Sequence, residues 1–533
     1  MAEPFYITTP IYYVNARPHL GTAYTTLVAD ARARFERMDG KDVFFLTGTD
    51  EHGQKIANTA EQNNMSPAEW TDTITKEFKE LWDKLNISND YFIRTTEQAH
   101  LRAVKHMAQL LYDKGYIYKS AYDGWYCVHD ETFFTDTQVR HANEEAGTPT
   151  EHNCPDCGRP LSRLEEESWF FKLSEFTEPL LKYIEEHPDF IQPEIRRNEV
   201  VSFVKTGLKD LSISRSSFDW GIELPFDKEH VAYVWIDALT NYLSAIGFGD
   251  PQADAQANFK RRWPADVHLV GKDIIRFHCV IWPALLMAAG LPLPKQVFAH
   301  GFLLMKGEKM SKSKGNVIAP EALVKAFGLD AYRYYFLTDV QPGADGSISI
   351  ERMTQVFNAD LANTWGNLCS RSLNMSAKYF DGKSPTLHGL EDSAIENPLK
   401  ELSEIIYPQY CTAMREMNFK AAVQPVFQLL SAANLYIEQM APWELAKNEK
   451  NAELAQVIYN VLESIRIAAY YLAPFMPDTS KEVLSRMSID IETQELSLEQ
   501  LCKWGGLSSG LEVRKGEALF PRLNLEELEI PGA

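Results

Sequence analysis

An α/β fold built on a doubly wound parallel sheet is predicted by three features of the chain. They are an opening strand, turn, helix, strand run, a later strand, helix, strand run, and a stretch beyond about residue 350 where long amphipathic helices replace strands. The first run starts at FYITTPIYYVN, whose β-branched and aromatic residues predict a buried strand. After Pro18, the residues Leu20, Tyr24, Leu27, Val28, Ala31 and Phe35 recur at three- and four-residue steps, which predicts a helix that Asp39-Gly40 ends. DVFFLTGT predicts the next strand. In a parallel α/β sheet ligands sit beyond the carboxyl ends of the strands, and there the chain carries His19-Leu20-Gly21-Thr22 and Thr49-Asp50-Glu51-His52. In the later run VHLVGKD predicts a strand and turn, IIRFHCVIWPALLMAAG a helix, and QVFAHGFLL a strand leading into KGEKMSKSKGN. Residues 116–225, with their cysteines, aromatics and weak periodicity, read as an insertion between sheet halves at 1–115 and 226–325. A connector at 326–360, a helical domain at 361–510 and a tail at 511–533 complete the division. The helical domain rests on patterns such as KAAVQPVFQLLSAANLYIEQM and ELAQVIYNVLESIRIAAYYLAPF.

The 533 residues are 45% hydrophobic and 24% charged, which excludes a disordered, collagenous or coiled-coil chain. MAEPFYITTP has no basic region followed by an apolar stretch, and no later run approaches the roughly 20 apolar residues of a bilayer span. The expectation is a cytoplasmic protein with no membrane partner. Seven cysteines, odd in number and thinly spread, fit reduced thiols or a metal site better than a disulfide framework. A net charge of −21 argues against indiscriminate nucleic-acid binding, so any polyanion site is local. Lys306, Lys309, Lys312 and Lys314 form such a patch, with Glu308 the one acid between 306 and 316. Lysines on a loop with serines and glycine can close over a triphosphate and offset charge developing at phosphorus. His19 and Gly21, at a predicted helix N-terminus, suit a phosphate or a simple capping role equally well.

Lys309-Met310-Ser311-Lys312-Ser313, with His19-Leu20-Gly21-Thr22 far upstream, resembles the paired signature of class I aminoacyl-tRNA synthetases. TTPIYYVN, FFLTGTDEHG, AYVWIDALTNY, GKDIIRFH and APW are similar to the methionyl-tRNA synthetases, and the likeness runs from about residue 5 to about residue 525. The resemblance implies a Rossmann-like, doubly wound catalytic domain split by a zinc-knuckle connective insertion, then an all-α anticodon-binding bundle. It also implies the reaction: L-methionine and ATP with Mg²⁺ give methionyl adenylate and pyrophosphate, and methionine passes to the terminal adenosine of tRNA(Met).

By the same resemblance, Pro10, Ile11, Tyr13, Trp235, Ala238, Leu239, Tyr242, Ile274 and His278 line the amino-acid pocket, with Asp50 on the ammonium. A thioether suits such an adaptable aromatic lining, and Tyr13 and His278 are placed to read the sulfur. His19, Gly21, Thr22, Gly271, Asp273, Lys309 and Lys312 bind ATP, Asp273 at the ribose, and His19, Gly21, Thr22, Lys309 and Lys312 carry the catalysis. The family's first motif ends in histidine where this chain has Thr22, which keeps a hydrogen-bond donor. Cys127, Asp130, Cys154 and Cys157 are expected to hold a structural Zn²⁺, with His129 competing for the second ligand position; Cys-Pro-x-Cys-Gly is a zinc knuckle in form. Asn367, Arg371 and Trp443 are expected at the anticodon. A neighbouring class I synthetase, such as one for leucine, valine or isoleucine, needs a larger editing insertion than about 110 residues supply, and a non-catalytic RNA-binding paralogue would not need KMSKS and Asp50. The chain ends without the roughly 100 residues of an appended oligonucleotide-binding barrel, and a monomer is expected.

Overall fold

The computed structural model describes residues 2–127, 132–134, 136–145, 152–155, 158–305, 307–309, 318–340, 342–386, 396–491, 493 and 496–530. The chain opens as predicted: strand β1 (Pro4–Tyr13), helix α1 (Leu20–Met38) and strand β2 (Asp42–Asp50). Asp39 caps α1 and Gly40 takes a left-handed φ of 91°, the conformation that releases the chain into β2. Four further strands, β3 (Tyr91–Arg94), β4 (Ile191–Gln192), β5 (Val267–Gly271) and β6 (Val297–His300), complete a six-stranded parallel sheet of order β3-β2-β1-β5-β6-β4.

Growth of the sheet reverses between β1 and β5, which opens a crevice beyond their carboxyl ends. Alternate residues face opposite sides. Phe5 and Ile7 join the core that holds α1 and the later helices, whereas Tyr6 turns to the second core. Strand β4 lies inside the stretch read as one insertion, so that stretch supplies an edge of the main sheet as well as a separate four-stranded antiparallel sheet.

Two elements differ from the sequence reading. The single strand expected over QVFAHGFLL divides: β6 ends at His300, and Leu303–Met305 pairs instead with Gly346–Ile348 and Glu308–Lys309 in a small sheet. Gly301 makes the break possible, because a Cβ there would lie 2.1 Å from the carbonyl oxygen of Ala344. The single helix expected over IIRFHCVIWPALLMAAG has a wide turn at Phe277–Ile281 before Trp282–Ala289. Pro283 has no N–H and its ring would crowd the carbonyl four residues back; the widened turn relieves this.

From Ser349 to Leu501 the described residues are mainly helical; 502–524 run without a helix, and an isolated bridge joins Lys383 to Glu512. The long members Phe419–Met440 and Asn451–Leu472 share one continuous core with α1. No helix among the described residues is long and apolar enough to cross a membrane.

Candidate active site

A cavity of about 460 Å³ occupies the crevice. All the residues expected at the amino acid and at the adenosine side of ATP line it, from Pro10 through His278, together with Gly271 and Asp273. This volume falls in the range of small-molecule sites. Strand β1 reaches it through a bulge: Thr8 pairs with Leu46 but Ile11 with Gly48, so one extra residue is taken up at Thr9-Pro10. Proline cannot donate to the ladder, and the bulge it enforces lets Pro10 and Ile11, neighbours in sequence, both border the cavity.

His19 is the N-cap of α1. Its Nδ1 accepts from the backbone N–H of Gly21 at 3.1 Å and of Thr22 at 3.4 Å, while Thr22 Oγ1 accepts from His19 N at 3.0 Å and donates to His19 O at 2.8 Å. With Nδ1 an acceptor, the neutral ring carries its proton on Nε2, a donor suited to a phosphate oxygen. Threonine at position 22 thus has a part of its own, closing a reciprocal cap. Gly21 leaves room for the ring; a Cβ there would lie 3.0 Å from His19 Cε1. Gly271 works similarly for Asp273, whose Oδ1 would be 2.4 Å from an added Cβ.

The side expected to take the amino acid is built on helix α2 (Val234–Ser244), which presents Trp235, Ala238, Leu239 and Tyr242 to the cavity. Trp235 stacks on Phe277 at 3.4 Å between ring centroids. His278 Nδ1 donates to Ile274 O at 3.0 Å, so its Nε2 accepts the Tyr242 hydroxyl proton at 2.7 Å. Both ring nitrogens are therefore engaged, and a thioether would meet this histidine at its carbon edge. Burial pushes the His278 pKa down to about 4, pushes that of neighbouring His268 well down, and lowers that of His300.

An unfolded histidine titrates near 6.5, so between about 6.5 and about 4 the unfolded chain binds protons that the folded chain refuses. Stability falls as pH drops through that window. Thermal denaturation from pH 7 to 4.5 is expected to show a falling midpoint, with a shallower slope in His278→Gln; parallel slopes would mean that His278 is not the titrating group.

Several cavity residues carried no signal of their own in the sequence: Asn15, Lys55, Asn241 and His300. His300 ends β6, donates from Nδ1 to Gly301 O at 2.8 Å and accepts from Thr25 Oγ1 at 2.7 Å, tying β6 to α1. Its place at a strand's carboxyl end, in the sequence AHG, was the available clue.

Of the remaining expected residues, several fall outside the described ones. Lys309 has its backbone in the Glu308–Lys309 strand, paired with Leu304, and Lys312 is outside the described residues. Cys127 and Cys154 are both buried, in a small core with Val139; Asp130, His129 and Cys157 are outside the described residues. Among the described residues no group of three or more His, Cys, Asp or Glu could hold a metal. Asn367 is exposed on helix Asn367–Tyr379, Arg371 Nη2 pairs with Glu438 at 2.5 Å, and Trp443, 42% exposed, lies five residues beyond Glu438.

A crevice at the switch point of a parallel sheet, beside a helix capped by His19, fits the class I aminoacyl-tRNA synthetases. The family model for class I tRNA synthetases of the methionine type matches residues 5–373, and that for the anticodon-binding domain of methionyl-tRNA ligase matches residues 388–530. The chain belongs to the methionine–tRNA ligases. It is 49% identical to the methionine–tRNA ligase of Caldanaerobacter subterraneus subsp. tengcongensis over 99% of its own length and 80% of that protein's. With the Bacillus subtilis ligase the identity is 48%, over 98% of this chain and 78% of that one.

Among solved structures, Mycobacterium tuberculosis methionyl-tRNA synthetase in complex with methionyl-adenylate matches with a TM-score of 0.90 and 41% identity, covering 98% of this chain and 100% of that chain. The free state of the same enzyme matches at 0.84 and 39%, over 98% and 99%.

Proposed function

We propose that the cavity residues carry the ligase reaction in the roles the resemblance gives them. The observation that supports this best is that one cavity gathers two chemistries: a neutral aromatic pocket on α2 and the wide turn, and an anion-receiving helix end at His19. Methionine lies against Tyr13, Trp235, Tyr242 and His278 with its ammonium on Asp50. ATP, with Mg²⁺, lies across Gly21, Thr22 and Gly271, its ribose at Asp273. The methionine carboxylate attacks the α-phosphorus in line, pyrophosphate leaves, and no protein nucleophile is required. His19 Nε2–H, Lys309 and Lys312 stabilise the charge that develops on the phosphates, and the fixed geometry supplies the alignment. Methionine then passes to the terminal adenosine of tRNA(Met), whose anticodon is read by Asn367, Arg371 and Trp443, with Trp443 stacking on a splayed base. The exposure of Trp443 on a helical surface supports that part of the reading.

Cys127 and Cys154, buried together, suit thiolate ligands, and Gly158, with φ 71° and its N–H bonded to Cys154 O at 2.9 Å, closes a knuckle turn. We assign a structural Zn²⁺ to Cys127, Cys154, Cys157 and Asp130, which would tie the turn to the strand Ile117–Cys127. About one zinc per chain is expected by metal assay, and its absence from folded protein would end that assignment. The chain is expected to act as a cytoplasmic monomer.

The experiment that tests the reaction is methionine-dependent exchange of labelled pyrophosphate into ATP, with leucine, isoleucine, valine and cysteine as controls. Lys312→Ala is expected to slow exchange by about 10²-fold with the fold intact, whereas Trp443→Ala leaves exchange unchanged and weakens tRNA charging. Equal damage to both steps in either variant would refute this division.

A further inference from the structure

Behind the cavity lies a buried, charged cluster that the reaction as described does not use. Asp237, in the first turn of α2, is 1% exposed, and its two carboxylate oxygens receive two imidazoles. His52 Nδ1 donates to Oδ2 and His100 Nε2 donates to Oδ1, each at 2.7 Å, while His100 Nδ1 meets Ser244 Oγ at 2.8 Å. The three elements are far apart in sequence: the turn after β2, helix Gln98–Asp113 and α2. Burial alone would push the Asp237 carboxyl up, but His52 and His100 outweigh it and hold its pKa at about 2. A buried carboxylate is seldom a gain in stability over a well-packed apolar group, so its retention here calls for a role.

Position suggests the role. Asp50 ends β2 two residues before His52, and the helix that carries Asp237 also carries Trp235 and Tyr242, so the His52 to Asp237 bond joins the two walls of the amino-acid pocket. The rest of the turn is already fixed from the other side. Glu51 receives Arg94 Nε at 2.7 Å, and its carbonyl accepts the Trp220 indole N–H at 2.6 Å.

We propose that Asp237 is a positioning residue that acts through His52 to set the distance from Asp50 to the aromatic face of α2, so that the ammonium and the thioether of one amino acid are met together. The inference rests on the assignment of Asp50 to the ammonium. A pocket gauged in this way selects an amino acid by the span between its two ends.

The test compares methioninol, which has the ammonium, with 4-(methylsulfanyl)butan-1-ol, the same alcohol without it, by titration of tryptophan fluorescence. In Asp237→Asn, which keeps the side-chain shape but has one acceptor oxygen for two N–H donors, methioninol is expected to bind about tenfold more weakly, while the deamino alcohol stays within about twofold. His52→Phe, which retains a ring against Trp220 without the Nδ1–H, is expected to behave alike and serves if Asp237→Asn does not fold. Asp50→Asn is the reference and should show the same selective loss. Equal weakening of both alcohols, or of neither, in the Asp237 and His52 variants beside a selective Asp50→Asn overturns the positioning role alone. An unselective Asp50→Asn overturns the ammonium assignment, and the inference with it.

Discussion

Replacing His19 by asparagine is expected to slow methionine-dependent pyrophosphate exchange by about a hundredfold while leaving the fold as it is. Asparagine is among the best N-caps, and its side-chain oxygen can take over the N–H groups of Gly21 and Thr22 that His19 Nδ1 now receives. What it lacks is a donor in the place of Nε2–H, on the far side of the ring from the cap. His19→Ala is expected to lose the same activity and, with the cap gone, about 1 kcal/mol of stability as well. Exchange kinetics beside a urea melt separate the two parts. Full activity in His19→Asn would reduce the histidine to a cap.

The second large effect is on stability. Arg333 is fully buried: Nη2 meets Asp30 Oδ2 at 2.6 Å and Pro474 O at 3.1 Å, Nε meets Phe475 O at 3.1 Å, and Nη1 meets Leu85 O at 3.1 Å. One guanidinium thus ties α1, the loop before β3 and the end of helix Asn451–Leu472 together. Arg333→Met leaves buried carbonyls without a donor and Asp30 with only Arg34 and Ser88, and is expected to cost about 3–5 kcal/mol. Arg333→Lys should recover little, since an ammonium cannot fork toward groups on several sides. Urea unfolding measures both, and a loss below about 1 kcal/mol in Arg333→Met would show that the hub is dispensable.

The parts of this molecule legible in its sequence are those in which a local pattern is also the physical cause. Strand β1, helix α1 and strand β2 follow from alternation, three- and four-residue periodicity and an Asp-Gly stop. The cavity residues were found by their match to a family, because a tyrosine such as Tyr242 looks in isolation like any core aromatic. What stayed hidden depends on partners distant in the chain. Two residues at 191–192 offer no periodicity, yet they extend a sheet; Gly301 breaks a strand because Ala344 passes beside it; Asp237 meets His100 across 137 positions. Thr22 departs from the family's motif, and only the structure shows that its hydroxyl completes the cap with His19.

Helix α1 has His19 at one end and at the other meets the helical region, through Arg32 to Met414 O and Arg415 O and through Asp39 to Tyr407 and Arg415. Its 19 residues make a rod about 28 Å long, with no proline and with its one glycine, Gly21, confined to the first turn. A rod held at its far end is a lever: a tilt of about two degrees there swings His19 by about 1 Å, a displacement of the size that costs catalysis about a hundredfold. The seating of the helical region against α1 therefore sets the aim of the end that carries His19, and the tolerance at that distant joint is a matter of a degree or two.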